Sequence, residues 1–218
     1  YSELKNLLPH VEILEQIGLT ETFNGFLMNR PGMVKPGSLG VEVPGFEVKI
    51  FDKDGKECPI GMPGELAFKG PVGFRYWRDP ELQKKAVKNG WNYTGDIAYK
   101  DEDGYFWYMS RADDMIKSAA YLISPHEIEG VLTTHPTVLE AGVIGVPDDM
   151  RGQRVKAFII LREGHSPSRE LEEELKQFVK SQIASYKAPA EIEFTSSLPR
   201  SETGKIRRKE LRRREGLD

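Results

Sequence analysis

The sequence predicts a protein of mixed α/β and α+β class, with a small β-barrel-like sheet in its first half and a compact α+β second half. Between residues 37 and 70, short alternating runs are separated by Gly, Pro and "DKDG", a pattern typical of antiparallel strands joined by tight turns. After Arg111 the pattern changes to helix, strand, strand, helix, strand. The break falls near Ala112 and Asp113, so we expect one domain over residues 1–111 and another over 112–218.

The other elements of the first half follow from three segments. "VEILEQIGLTETFNG" begins strand-like at Val11 and turns polar from Gly18. "DPELQKKAVKNG", residues 79–90, predicts a helix because it has an acidic start and a glycine stop. "GWNYTGDIAYKDEDGYFWYMSR" predicts two aromatic strands around a "DEDG" turn.

The second half opens with a helix-start signal in "SPHEIEGVLTTHP". Ser124 is the expected N-cap, Pro125 takes the first helical position, and Glu127 completes a capping box. "VLEAGVIGV", "RVKAFIILR" and "AEIEF" predict strands. A second helix is expected from about residues 166–167 to about Tyr186. Its apolar stripe consists of Leu171, Leu175, Phe178, Val179 and Ile183.

Composition narrows the class of protein. The 218 residues have a hydrophobic fraction of 39%, a charged fraction of 30% and a net charge of −3, which is ordinary for a globular protein. The single cysteine, Cys58, excludes an internal disulfide and predicts a reducing, cytoplasmic setting. The apolar stretches are short, so we expect no membrane span.

Four polar segments carry candidate chemistry, although each has a simpler explanation when it is taken alone. The aspartate of "YTGD" could accept hydrogen bonds from a ribose diol, or it could merely cap its own turn. "GLTET" could hold phosphate and Mg²⁺, or form a helix N-cap. "SRADDMIK" could be a solvated linker with a weak surface ion pair. "PRSETGKIRR" could be a flexible basic tail.

Taken together and in order, the motifs point to one family. "IGLTET", "GELAFKG", "YTGD", "SRADDMIK…EIE" and "PRSETGK" resemble the AMP-forming acyl-CoA synthetase, or adenylate-forming ligase, superfamily over essentially the whole chain. Ile17 at the usual tyrosine position, together with "GPVGFRYW" and "GWNYTGD", is similar to the benzoate- and 2-aminobenzoate-type CoA ligases, with medium-chain acid ligases next. The resemblance implies the C-terminal portion of a large AMP-binding domain followed by a small mobile lid domain.

The resemblance also implies roles for residues in the first half. The backbone of Gln16, Ile17 and Gly18 would line the adenine pocket. Thr20 and Glu21 would contact the ATP phosphates, with Glu21 as the Mg²⁺ ligand.

Further roles are implied nearer the break and beyond it. Asp96 and Arg111 would hold the ribose, with Tyr108 near the adenosine, and Asp113 would be the interdomain hinge. Lys205 would be the adenylation lysine, bridging the substrate carboxylate and the α-phosphate. The arginines that follow it would form a solvated helix face.

The sequence departs from the family pattern in two further places. One concerns the transfer of the acyl group to CoA, and the other concerns the phosphate-binding part of the ATP site. The family's Gly-Tyr-Arg, which contacts CoA, reads Ala120-Tyr121-Leu122 here; alanine takes up room, and leucine removes a charge. The family's upstream Gly/Ser/Thr-rich phosphate loop is absent from the sequence, so we expect no ligase activity from this chain alone. The implied substrates are a small carboxylic acid, ATP (giving AMP) and CoA, with Mg²⁺ as the cofactor.

Three alternatives stay open. The thiol acceptor could be a carrier protein, which competition between thiol acceptors would distinguish. The chain could be a non-catalytic relic or an interaction module that keeps the fold. The basic run over residues 205–214 could bind nucleic acid, but it lacks interleaved aromatics and the net charge is negative, so we expect no nucleic-acid partner.

Overall fold

The computed structural model describes residues 1–71 and 75–217. The chain divides into two compact units, Tyr1–Ala112 and Asp113–Asp218. Within the described ranges, no helix has the length and apolar character needed to cross a membrane.

The first unit is built from two antiparallel sheets. The elements are α1 (Ser2–Leu7), β1 (Gln16–Gly18), β2 (Gly25–Met28), β3 (Val41–Glu42), β4 (Glu47–Phe51), β5 (Gly64–Lys69), α2 (Pro80–Ala86), β6 (Val87–Lys88), β7 (Trp91–Lys100) and β8 (Phe106–Arg111). One sheet has three strands, in the order β1-β2-β3; the other has the order β4-β5-β7-β6, with β8 paired to β7.

Both sheets contribute to one apolar core in this unit. Phe26 of β2 packs against Phe68 of β5, with ring centroids 5.1 Å apart, and Phe106 of β8 is fully buried in the same cluster. Because side chains alternate along a strand, Leu66 and Phe68 of β5 enter this core, whereas Ala67 between them packs with Phe51 and Trp91 in a second apolar cluster. The expected fold class, a mixed fold with a curled β-rich first half, is confirmed.

The helix expected over residues 79–90 is shorter than predicted. Asp79 caps it as expected, its carboxylate accepting a hydrogen bond from Leu82 N at 2.9 Å. The helix ends at Ala86, however, because Asn89 and Gly90 adopt left-handed φ angles of 51° and 78°. These angles suit a two-residue hairpin turn, which pairs β6 with the start of β7. The strand expected from Val11 is likewise confined to β1.

The second unit is a sheet with helices on both faces. Its elements are β9 (Ile116–Ser118), β10 (Tyr121–Ile123), α3 (Pro125–Thr133), β11 (Val138–Asp148), β12 (Gly152–Leu161), α4 (Arg169–Gln182), β13 (Glu191–Phe194) and α5 (Arg208–Arg214). The sheet order is β10-β9-β12-β11, with β13 parallel to β12. Val143 of β11 packs in the core that contains α3 and α4, while its neighbour Ile144 packs with Leu211 of α5. The helices therefore cover opposite faces.

Local signals for α3 and α4 are largely confirmed. Ser124 caps α3, its hydroxyl accepting from Glu127 N at 3.3 Å. Helix α4 begins at Arg169, later than expected, because Ser168 rather than an earlier residue is its N-cap. It ends at Gln182, and a separate 3₁₀ turn covers Ser185–Lys187. The β9–β10 hairpin was not predicted, because its strands are only three residues long.

Candidate functional site

Asp96 lies at a bulge in β7. Glu65 of β5 pairs with Ile97 and Ala67 pairs with Tyr93, so three residues of β7 lie opposite the single residue Leu66. Such bulges bend a strand and change the direction of its side chains. Gly95, at the centre of the bulge, has a φ of 74°, a left-handed conformation that glycine adopts without strain. As a result Asp96 is buried, with 4% of its surface exposed.

Arg111 of β8 lies directly opposite Asp96 in the strand register. Its Nη1 donates to Asp96 Oδ1 at 3.1 Å and to the carbonyl of Thr94 at 2.9 Å. A Cβ atom at Gly95 would lie 2.8 Å from Arg111 Nη2, so glycine also makes room for the guanidinium. The buried carboxylate of Asp96 is therefore paired with the half-exposed guanidinium of Arg111.

Glu21 lies on a 3₁₀ turn, Thr20–Thr22, that follows β1. The buried Thr22 hydroxyl holds this turn, since it accepts from Leu19 N at 2.9 Å. Glu21 Oε1 accepts a hydrogen bond from the Tyr76 hydroxyl at 2.8 Å. Burial and the neighbouring Glu21 carboxylate raise the pKa of Tyr76 to about 12, so the phenol stays a donor at neutral pH.

Glu21 and Arg111 line one cavity of about 150 Å³ in the first unit. The lining comprises Leu19, Glu21, Phe68, Tyr76, Tyr93, Thr94 and Arg111. Asp96 is held beside this cavity through Arg111 rather than lining it. Sequence reasoning missed Tyr76 as a site residue, although it lies in the segment "GPVGFRYW"; residues 72–74 of that segment lie outside the described ranges.

Four further candidates of the first unit do not line this cavity: Gln16, Ile17, Gly18 and Tyr108. Gln16, Ile17 and Gly18 form β1, which pairs with β2 and leads into the Glu21 turn. Tyr108 is half-buried on β8, opposite Ala98. Within the described ranges, no group of three or more His, Cys, Asp or Glu side chains is placed to hold a metal ion.

Lys205 lies on the returning arm of a tight loop in the second unit, directly after Gly204. Arg200 and Ile206 form an isolated antiparallel bridge at its base, and Gly204 has a φ of 81°. Ser201 closes the loop, because its N–H donates to the carbonyl of Lys205 at 2.8 Å. The Lys205 side chain is exposed, and no described residue forms an ion pair with it. The loop therefore presents the Lys205 ammonium to solvent.

Asp113 lies at the boundary between the two units. It is exposed, in the 3₁₀ turn Ala112–Asp114. The next residue, Asp114, is instead held by Arg208 and Arg212 of α5 at 3.3 and 3.2 Å. The prediction that the arginines behind Lys205 form a solvated face is therefore wrong for these two residues, because carboxylates distant in sequence neutralise them.

Ala120 and Tyr121 lie at the β9–β10 hairpin. Tyr121 stacks on Tyr186, with ring centroids 4.0 Å apart, at the edge of a groove of about 750 Å³. Arg151, Lys176 and Lys180 contribute positive side chains to that groove. Leu122, where the family pattern has arginine, is 43% exposed.

Ala119 in this hairpin has a φ of 52°, a left-handed conformation that strains a residue with a Cβ atom. We predict that Ala119→Gly raises the free energy of unfolding by about 0.5–1 kcal/mol, the relief of strain less the added chain entropy. Urea denaturation measures the change. The matched control is Ala120→Gly, which is expected to lower stability by about 0.5–1 kcal/mol because Ala120 does not share this conformation. Equal effects of the two substitutions would contradict the prediction.

Comparison with known proteins identifies the family of this chain. Residues 1–77 match the model of AMP-binding enzymes, and residues 127–205 match the model of the AMP-binding enzyme C-terminal domain. The acetyl-coenzyme A synthetase of Bacillus subtilis is 44% identical over 199 residues, which are 89% of this chain and 35% of that protein. The benzoate–CoA ligase of Thauera aromatica is 41% identical over 204 residues, which are 93% and 39% of the two chains.

A solved structure shows the same fold. The anthranilate CoA ligase AuaEII, determined in complex with anthranoyl-AMP, superposes with a TM-score of 0.86 at 40% identity, over 94% of this chain and 40% of that one. The chain therefore spans about 35–40% of the length of these relatives. With both family models matched in order along the chain, it belongs to the AMP-binding enzymes, the adenylate-forming ligase superfamily.

Proposed function

We propose that this chain is part of an acid–CoA ligase. The enzyme would use ATP to convert a carboxylic acid into an acyl-adenylate with release of pyrophosphate, and would then transfer the acyl group to CoA. The proposal rests on one observation: Glu21 lines the same cavity as Arg111, and Arg111 is paired with the buried Asp96. The relatives named for benzoate and anthranilate support an aromatic acid, with medium-chain acids next.

The cavity is consistent with one wall of a nucleotide site. Its volume of about 150 Å³ is below the roughly 300–1,000 Å³ of typical small-molecule sites, so other parts of the protein must complete it. We assign residues 1–111 to the C-terminal portion of the large AMP-binding domain and 112–218 to the small mobile domain. The backbone of residues 16–18 would face the adenine, with Tyr108 near the adenosine.

Asp96 would accept hydrogen bonds from the ribose hydroxyls. Because Arg111 covers one carboxylate oxygen and is itself half exposed, the guanidinium would have to move aside or share the ribose. Thr20 and Glu21 would contact the phosphates. Glu21 has the carboxylate oxygens that Mg²⁺ prefers, and one of them is oriented by Tyr76. When bound, Mg²⁺ would neutralise phosphate charge.

Lys205 would act in the first step. One carboxylate oxygen of the acid attacks the α-phosphorus, the bond from that phosphorus to the bridging oxygen breaks, and pyrophosphate leaves. Two anionic groups must approach each other, and a cation between them stabilises the charge of the transition state. An exposed ammonium on a glycine-containing loop is suited to this role, because no ion pair with a residue of the described ranges has to break first.

The second step would form the thioester. The thiol loses its proton, its sulfur attacks the acyl carbon, and AMP leaves. Rotation about Asp113 would remove Lys205 between the two steps and admit the pantetheine arm beside Ala120 and Tyr121. We place the reaction in the cytoplasm, in keeping with the single cysteine.

One observation favours an alternative acyl acceptor, a carrier protein in place of free CoA. Leu122 is an exposed apolar residue where the family pattern has a phosphate-binding arginine. A phosphopantetheine arm on a carrier protein needs fewer nucleotide contacts than free CoA does. Competition between CoA and a loaded carrier protein for the same acyl-adenylate distinguishes the two acceptors.

The direct test is the intact mass of the native protein, followed by an assay of AMP release. We predict that the 218-residue chain alone releases no AMP from ATP, acid and CoA. A native product more than twice this length should release AMP with an aromatic or medium-chain acid. AMP release by the 218-residue chain would contradict the first prediction, and an inactive longer product would contradict the proposed function.

A further inference from the structure

A largely buried network of charged side chains begins at Arg208, three residues after Lys205 in the sequence. Arg208, the first residue of α5, is 8% exposed. Its Nη2 donates to Glu129 Oε2 of α3 at 2.5 Å, and its Nη1 donates to Asp114 Oδ2 at 3.3 Å. Asp114 Oδ1 accepts from Arg212 Nη1 at 3.2 Å. These four residues, Arg208, Arg212, Asp114 and Glu129, are called the Arg208 network below.

Glu129 is held as a charged anchor for this network. Its Oε1 accepts from the backbone N–H of Val143 at 2.8 Å, and His126 Nδ1 lies 3.3 Å from its Oε2. Burial alone would raise the pKa of Glu129, but the His126 hydrogen bond, the Arg208 charge and the Val143 N–H hold it below its usual value. Two guanidinium groups and two carboxylates therefore balance each other in a largely buried space.

The network joins two sites that are distant in sequence. Arg208 is three residues beyond Lys205, and Asp114 is adjacent to the hinge candidate Asp113. We propose that the Arg208 network couples the lysine loop to the hinge-side segment, making Arg208 and Asp114 positioning residues for Lys205. The catalytic consequence rests on the proposed function, whereas the coupling itself does not. A buried pair that loses one partner leaves an uncompensated charge, so the arrangement has few alternatives.

A second charge cluster in the same unit provides the matched control. Lys156 of β12 is buried and contacts Glu191, Glu193 and Glu215 at 2.8–2.9 Å. This cluster ties the other end of α5 to the sheet, whereas the side-chain hydrogen bonds of Asp114 within the described ranges go to Arg208 and Arg212. Glu193→Gln therefore removes one carboxylate from a buried cation, as Asp114→Asn does, but away from the hinge segment.

Hydrogen exchange tests the coupling in the 218-residue chain itself. The amides of Gly204 and Arg207 report on the loop, because they donate to Ser201 O and Pro199 O at 2.9 and 2.8 Å. Asp114→Asn is expected to speed their exchange by about 10-fold or more, while Glu193→Gln leaves it within about 2-fold. Unchanged exchange in Asp114→Asn, or equal acceleration in both variants, would overturn the proposal.

The two half-reactions test the positioning role in the native protein. Asp114→Asn is expected to slow acyl-adenylate formation by about 10-fold with an unchanged KM for ATP, because the ammonium is displaced and not removed. Thioester formation from supplied acyl-adenylate should change less than about 2-fold. Arg208→Lys should recover more adenylation than Arg208→Gln. An equal loss of rate in both half-reactions of Asp114→Asn would contradict the positioning role and show that the Arg208 network only supports the fold. Wild-type protein without ligase activity would refute the proposed function, but the exchange result would still decide the coupling.

Discussion

Lys205→Ala is expected to slow acyl-adenylate formation by about 100- to 1,000-fold, the cost of removing one preorganised charge from a transition state. Lys205 is exposed and has no ion-pair partner among the described residues, so the substitution removes charge without unsettling the core. Pyrophosphate release in the native protein measures the first step. Thioester formation from supplied acyl-adenylate should keep its wild-type rate, because the carboxylate has already reacted.

Lys209→Ala is the matched control for this prediction. Lys209 is an exposed lysine in the same basic run, four residues further on in α5. It should retain adenylation within about 2-fold, since screened surface charges contribute little. A comparable loss in Lys209→Ala would mean that the overall charge of the tail matters. Equal loss of both half-reactions in Lys205→Ala would contradict a role confined to adenylation.

Asp96→Asn is expected to raise the KM for ATP by about 10- to 100-fold, corresponding to the loss of charged hydrogen bonds worth about 1.5–3 kcal/mol. Asparagine keeps the size of the side chain but loses the charge that attracts Arg111 and the second acceptor oxygen for a ribose diol. The kinetics of ATP and 2′-deoxy-ATP should be compared. The wild-type preference for ATP should shrink in the variant, because the acceptor of the 2′-hydroxyl is weakened.

Asp101→Asn separates this effect from a loss of structure. Asp101 is a carboxylate of the same unit that accepts from Lys35 Nζ at 2.6 Å and Trp107 Nε1 at 2.7 Å. Its replacement should lower Tm and leave the KM for ATP unchanged. An Asp96→Asn protein with a lower Tm but an unchanged ratio between ATP and 2′-deoxy-ATP would show that Asp96 only supports the fold.

Much of the fold and of the candidate site could be predicted because its signals are local. Side-chain oxygens of Asp79 and Ser124 cap helices within three residues, and the stripe of α4 follows from helical periodicity. The order of the motifs along the chain also indicates the family, since it does not depend on tertiary contacts. The short elements were less predictable: the Asn89-Gly90 turn ended α2 early, since its left-handed residues favour a hairpin over continued helix.

The class of fold, the order of the candidate motifs and the family all follow from local patterns in the sequence. Which charged residues are solvated and which are paired depends on contacts that form only in the folded protein. Lys205 and Arg208 belong to one basic run, yet Lys205 is exposed and Arg208 is buried between Glu129 and Asp114. Tyr76 likewise meets Glu21 across 55 positions of the chain. A charge is stable inside a protein only where opposite charges or hydrogen-bonding groups surround it, and folding brings those partners from distant parts of the sequence.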